Sequence, residues 1–220
     1  MFGIGKNIQK KTDFKDTHVS MSKSNIEIRR EGRPTTGATM TGHVYLLVDK
    51  SASMSGDKIN QAKKGALNFA KEALSKGYYT GLIQFDSESK LLCEPFKDLS
   101  TIEKAIGRMV TGDNTHMAKA INLAHNLLNG KFGVRVMVIV TDGMPNGEGD
   151  PTASLKAGEV AKKAGIDIIV IGTDDADQTF LKRLASRTEL GVKVDSTKLE
   201  QTITNSARML PADNNRLHKR

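Results

Sequence analysis

Three short stretches of this chain place oxygen-bearing side chains at the ends of apolar runs or just ahead of a helical pattern. Asp49-Lys50-Ser51-Ala52-Ser53 follows the apolar run at 43–48, and Thr141-Asp142-Gly143 follows the run at 134–140. Between them, Thr111-Gly112-Asp113-Asn114-Thr115 leads into a helical pattern that begins near His116. Asp49 and Asp142 offer carboxylates; Ser51, Ser53 and Thr115 offer hydroxyls. An all-oxygen set suits a hard divalent cation, Mg²⁺ first, with Mn²⁺ or Ca²⁺ as alternatives. With so few carboxylates such an ion stays electron-poor and can accept one more strong oxygen donor from outside.

For the three stretches to meet, the elements before and after them must bring them to one edge. The spacing predicts strands over 43–48, 79–85, 134–140, 166–171 and 192–194, the first and third apolar enough to be buried on both faces. Residues 90–93, after the polar turn Asp86-Ser87-Glu88-Ser89, return as a short antiparallel edge strand. Helices are expected over 58–75, 102–109, 116–128, 151–164, 178–186 and 196–210, with Gly130, Gly165 and Pro211 as stops. Such alternation implies an α/β fold: a Rossmann-like, mostly parallel central sheet with one short antiparallel edge strand and helices on both faces. In a doubly wound sheet the loops at the carboxyl ends of the strands form the binding crevice. The three stretches belong there.

The Asp-x-Ser-x-Ser spacing of Asp49, Ser51 and Ser53 resembles the metal-ion-dependent adhesion site, or MIDAS, of von Willebrand factor type A domains. Thr115 ahead of a helix and Asp142 in Thr-Asp-Gly match the second and third loops of that site in order and approximate spacing, and the resemblance covers about 42–210. It implies that Ser51, Ser53 and Thr115 contact the metal, that Asp49 and Asp142 act directly or through water, and that a Glu or Asp of a protein partner takes the remaining position. Two departures stand out. Ala52 occupies a position that is often Gly in such domains, a cost only if the backbone there needs a positive φ. Asp113 adds a carboxylate to the threonine loop.

Simpler roles exist for each residue. Asp-x-Ser-x-Ser alone is usually a turn or a helix N-cap, and Thr115 could cap the helix it precedes. Asp142-Gly143 could be a plain β-turn. Asp86 and His116 read as ordinary loop residues near the rim, and Met54 either packs locally or meets a partner. Gly3-Ile4-Gly5-Lys6 has no preceding strand and is no phosphate loop. The five histidines lack metal-ligand spacing. Cys93 is the single cysteine, so no internal disulfide or cysteine-cluster metal site can form.

The 220 residues carry a net charge of +8, distributed unevenly: about +4 over 1–41, +3 over 208–220 and +1 between them. The expected organisation is therefore a basic N-terminal extension over 1–41, in which 25–29 alternates like one exposed strand, a domain over 42–210, and a basic tail over 211–220. With 38% hydrophobic and 26% charged residues, the chain reads as a soluble globular protein. No stretch reaches the ~20 apolar residues of a membrane span, and no apolar core follows the basic N-terminus as in a secretory signal. The cytoplasm is the expected location. The leading expectation is a non-enzymatic, metal-dependent protein-interaction module within an intracellular complex. One alternative is a Mg²⁺-dependent phosphoryl-transfer or hydrolase enzyme with Asp49 as nucleophile. It lacks the second close carboxylate such sites use, because Ser51 stands there. Another is nucleic-acid binding through the basic ends, which the absence of Trp and the scarcity of aromatics leave without a stacking platform.

Overall fold

The computed structural model describes residues 42–112, 114–146 and 151–211. The basic extension with its expected strand at 25–29, Asp113, and the basic tail apart from Pro211 lie outside the described residues. Among the described residues six strands form one sheet: β1 (Gly42–Asp49), β2 (Tyr78–Phe85), β3 (Ser89–Phe96), β4 (Val134–Thr141), β5 (Asp167–Thr173) and β6 (Gly191–Val194). Their order is β3-β2-β1-β4-β5-β6, with every neighbouring pair parallel except β2 and β3. The central strands are buried along nearly their whole length, which is why their sequences run apolar without alternating.

Among the described residues six helices cover the sheet: α1 (Asp57–Ser75), α2 (Leu99–Gly107), α3 (Met117–Leu128), α4 (Pro151–Lys163), α5 (Gln178–Leu184) and α6 (Leu199–Ser206). The helix α1 packs with α2 and α6, while α4 packs with α3 and α5, giving the two outer layers. On α1 the buried positions are Ile59, Ala62, Gly65, Ala66, Phe69, Ala70 and Ala73, one stripe at helical spacing. Small residues on that stripe let α6 approach closely: a Cβ added to Gly65 would lie 2.9 Å from the Ile203 Cβ.

The elements differ from expectation at three places. The antiparallel edge strand is not short: β3 runs the full eight residues of Ser89–Phe96, across a register irregularity opposite Thr80–Ile83. The helix expected over 102–109 starts earlier, because the Asp98 carboxylate accepts the Ser100 and Thr101 amides and caps α2. The last helix is α-helical only over Leu199–Ser206, with 3₁₀ turns at Ser196–Lys198 and Ala207–Met209. Thr202, Thr204 and Ser206 turn their hydroxyls back onto the carbonyls of Lys198, Glu200 and Ile203, a habit that loosens helices.

A local cap also fixes α5. The Asp177 carboxylate accepts the Phe180 amide at 2.6 Å. Replacing Asp177 with Ala should cost about 1 kcal/mol, read as a lower urea midpoint with an unchanged slope.

Candidate metal centre

Strand order reverses beside β1. One connection from β1 runs through α1 to β2 on one side, and the later passage through α3 reaches β4 on the other. The crevice at such a switch point opens beyond the carboxyl ends of the two strands. Here those ends are Asp49 and Thr141-Asp142.

The side chains there are joined by hydrogen bonds. Asp49 Oδ1 accepts the Ser51 amide at 2.8 Å, and Oδ2 accepts the Thr141 hydroxyl at 2.6 Å. The Ser51 and Ser53 hydroxyls lie 3.0 Å apart, and Ser53 donates to Asp142 Oδ1 at 2.8 Å. Four of the five expected residues therefore share one network. Thr115 is positioned separately. Its amide donates to Asn146 Oδ1 at 3.0 Å and its carbonyl accepts the Asn146 amide at 3.2 Å, which ties the threonine loop to the segment after β4. Among the described residues its hydroxyl has no hydrogen-bond partner, although Thr115 is only 4% exposed. The loop is also tied to the first stretch: Gly112 donates its amide to the Lys50 carbonyl at 2.6 Å, and His116 to the Asp86 carbonyl at 2.7 Å.

Gly56, with φ +75°, is the N-cap of α1, so the Asp-x-Ser-x-Ser stretch does not cap that helix. His116 stands at the N-cap of α3 without a side-chain bond, so the Thr115 hydroxyl is not spent on capping. Ala52 lies in a 3₁₀ turn and not in the left-handed region, so its Cβ adds no strain. Met54 is fully buried and packs into the core. Asp86 is a brace: its Oδ2 meets the Lys50 ammonium at 2.5 Å and its Oδ1 accepts the Glu88 amide at 3.0 Å. Gly112 crosses so close over this pair that a Cβ would lie 1.8 Å from Asp86 Oδ2. His116 carries a buried Nδ1 with no hydrogen-bond partner among the described residues.

Charge distinguishes the two aspartates. Asp142 meets the Lys58 ammonium through Oδ2 at 2.5 Å, and the same ammonium reaches Asp174 Oδ2 at 3.0 Å. Burial works to lower the Lys58 pKa, but hydrogen bonds to the two carboxylates outweigh it and raise it, while the Lys58 hydrogen bond holds Asp174 below the usual carboxylate range. Asp49 is fully buried, and no cation among the described residues pairs with it. Burial pushes its carboxyl up to about 6, against the pull of hydrogen bonds from Thr141 and Ser51, and the nearby Asp142 adds repulsion. An ionised carboxylate taken out of water without a counter-charge is costly. Among the described residues no three His, Cys, Asp or Glu side chains gather as ligands, so an ion here would lean on hydroxyl oxygens. The donor set of one unpaired carboxylate, one paired carboxylate and three hydroxyls fits a hard divalent cation.

Lys58, Asn146 and Asp174 are site residues that the sequence reading did not single out. The only advance signal was positional: Asp174 follows β5 at the same edge, and Lys58 sits in the first turn after Gly56.

The family model for the von Willebrand factor type A domain matches residues 43–205. Inter alpha-trypsin inhibitor heavy chain 4 from Mus musculus is 27% identical over 167 residues, which are 69% of this chain but only 18% of that protein. The vWF domain of the type V pili tip protein Mfa5 from Porphyromonas gingivalis superposes with a TM-score of 0.70 at 15% identity, over 79% of this chain and 96% of that one. BatB from Bacteroides thetaiotaomicron, described as a conserved hypothetical protein, does so with a TM-score of 0.60 at 18% identity, over 76% of this chain and 98% of that one. At such identities these structures speak for the fold.

Proposed function

Because the chain belongs to the von Willebrand factor type A family, whose domains are generally protein-interaction modules, we propose that it binds a protein partner through a divalent cation held at Asp49, Ser51, Ser53, Thr115 and Asp142. The observation that carries this reading is a fully buried Asp49 carboxylate, without a counter-cation among the described residues, that accepts the Thr141 hydroxyl and the Ser51 amide and is linked through the Ser51 and Ser53 hydroxyls to Asp142. A bound Mg²⁺ or Mn²⁺ would supply positive charge with room for an oxygen donor from outside. The chain's own residues do the rest. Thr141 and the Ser51 amide fix the orientation of Asp49, Asp142 fixes Ser53, and Asn146 fixes the backbone of Thr115. Exposure increases outward from Asp49 to Ser53, so the open side faces a partner, and an Asp or Glu side chain is the donor that fits a cation there.

We read the site as a binding site rather than a catalytic one. Both Asp49 oxygens are engaged and the residue is fully buried, a poor posture for a nucleophile that must reach a phosphate. Among the described residues no helix is long and apolar enough to cross a membrane.

Two measurements test the proposal. Calorimetry should show Mg²⁺ binding that weakens about tenfold in Thr115→Ala, the loss of one hydrogen-bond-strength donor. Affinity capture from lysate should yield a partner in Mg²⁺ that is released by EDTA. Capture that is indifferent to EDTA, together with no calorimetric signal, would refute the metal-dependent reading.

A further inference from the structure

We propose that Lys58 sets the net charge of the metal centre, and so makes it select an anionic oxygen donor over a neutral one. This rests on the reading of the centre as a divalent cation site. Two carboxylates alone would cancel a divalent charge. Lys58 offsets one of them: its ammonium lies 2.5 Å from Asp142 Oδ2, and the Asp142 side chain is 1% exposed, so water does little to screen the pair. The lysine is the second residue of α1, where the helix end adds further positive potential. With Asp142 balanced, one positive charge remains beside Asp49 for an incoming carboxylate.

Asp174 keeps the ammonium in place. Its Oδ2 is 3.0 Å from Lys58, and its Oδ1 accepts the Thr173 hydroxyl at 3.2 Å. Among the described residues Asp174 is the one non-glycine in the left-handed region, with φ +46°, a conformation that Asp tolerates better than most residues. Its side chain is 36% exposed, so solvent screens its charge far more than that of Asp142. It acts as an anchor and cancels little of the field at the centre. Lys58 is thus a positioning and charge-setting residue that need not touch the ion.

The test is Mn²⁺ calorimetry on the full chain and on Lys58→Gln and Lys58→Arg. Gln can still hydrogen-bond Asp142 but carries no charge, whereas Arg restores the charge. Lys58→Gln should bind Mn²⁺ about tenfold more tightly, most clearly at low ionic strength, and Lys58→Arg should match the parent. Acetate added to the Mn²⁺-saturated proteins, followed by water-proton relaxation, should bind the parent and Lys58→Arg more tightly than Lys58→Gln. A parent that binds Mn²⁺ and a Lys58→Gln that binds it no more tightly, or acetate binding equal in all three, would overturn this assignment and leave the metal site standing. If none of the three binds Mn²⁺, the metal reading itself falls, and this inference with it.

Discussion

In EDTA near neutral pH, Asp49→Asn should withstand more urea than the parent chain, and the gap should close by about pH 4. The reason is the buried carboxylate. Its pKa rises from 3.8 in the ordinary case to about 6 in the folded chain. The folded state therefore holds the proton more tightly than the unfolded one. Stability is fully present below the unfolded value and is lost as pH rises through the folded one. Across that window the loss is about 3 kcal/mol, a large share of the roughly 5–15 kcal/mol that holds an ordinary domain together. Asn keeps the shape: its oxygen can still accept the Ser51 amide, and its NH2 can donate to the Thr141 hydroxyl, which has the Gly143 carbonyl as its own acceptor, but Asn has no charge to bury. Saturating Mg²⁺ should reverse the order, because an ion that binds only the folded parent stabilises it by mass action. Equal urea midpoints for the two chains in EDTA at both pH values would show that the carboxylate carries no such burden.

The second large effect concerns the wall behind the site. Gly81 of β2 lies opposite Tyr45 of β1, and a Cβ at Gly81 would sit 2.4 Å from Tyr45 Cε1 and 3.0 Å from the Cys93 carbonyl oxygen. The ring cannot swing away easily. It is fully buried, and its hydroxyl donates to Glu94 Oε2 at 2.9 Å. Gly81→Ala should therefore cost about 2–3 kcal/mol through overpacking, measured by urea unfolding. Shrinking the neighbour in Gly81→Ala/Tyr45→Leu should recover part of that loss. A single variant as stable as the parent would mean that the strands shift apart without cost.

What the residues disclosed in advance, and what they did not, follows from the range of the interactions. Asp49, Ser51 and Ser53 lie within one turn of chain, directly after an unbroken apolar run, and Asp142 follows another such run. Local pattern and the rule for sheet edges suffice to bring these together. Lys58 and Asp142 are 84 residues apart, and Thr115 and Asn146 are 31 apart. Their pairing depends on β4 lying beside β1, and neither a lysine in a first helical turn nor an asparagine after a proline is distinctive by type. The length of β3 was hidden by Pro95, which cannot donate to a ladder and so reads as a strand end. On an outer strand it costs little. The breakup of the last helix was hidden because Leu199, Ile203 and Leu210 keep helical spacing while the hydroxyls beside them pull at the backbone.

The two outermost strands carry a consequence for assembly. On one flank, β3 bears Pro95 and an irregular register; on the other, β6 is four residues long. Both make poor templates for β-augmentation, since a visiting peptide would meet an irregular, proline-bearing strand on one side and a stub on the other. Among the described residues, then, neither edge of the sheet offers a long, regular ladder to a visiting strand, and the proposed capture of a side chain at the carboxyl ends of the strands would need none.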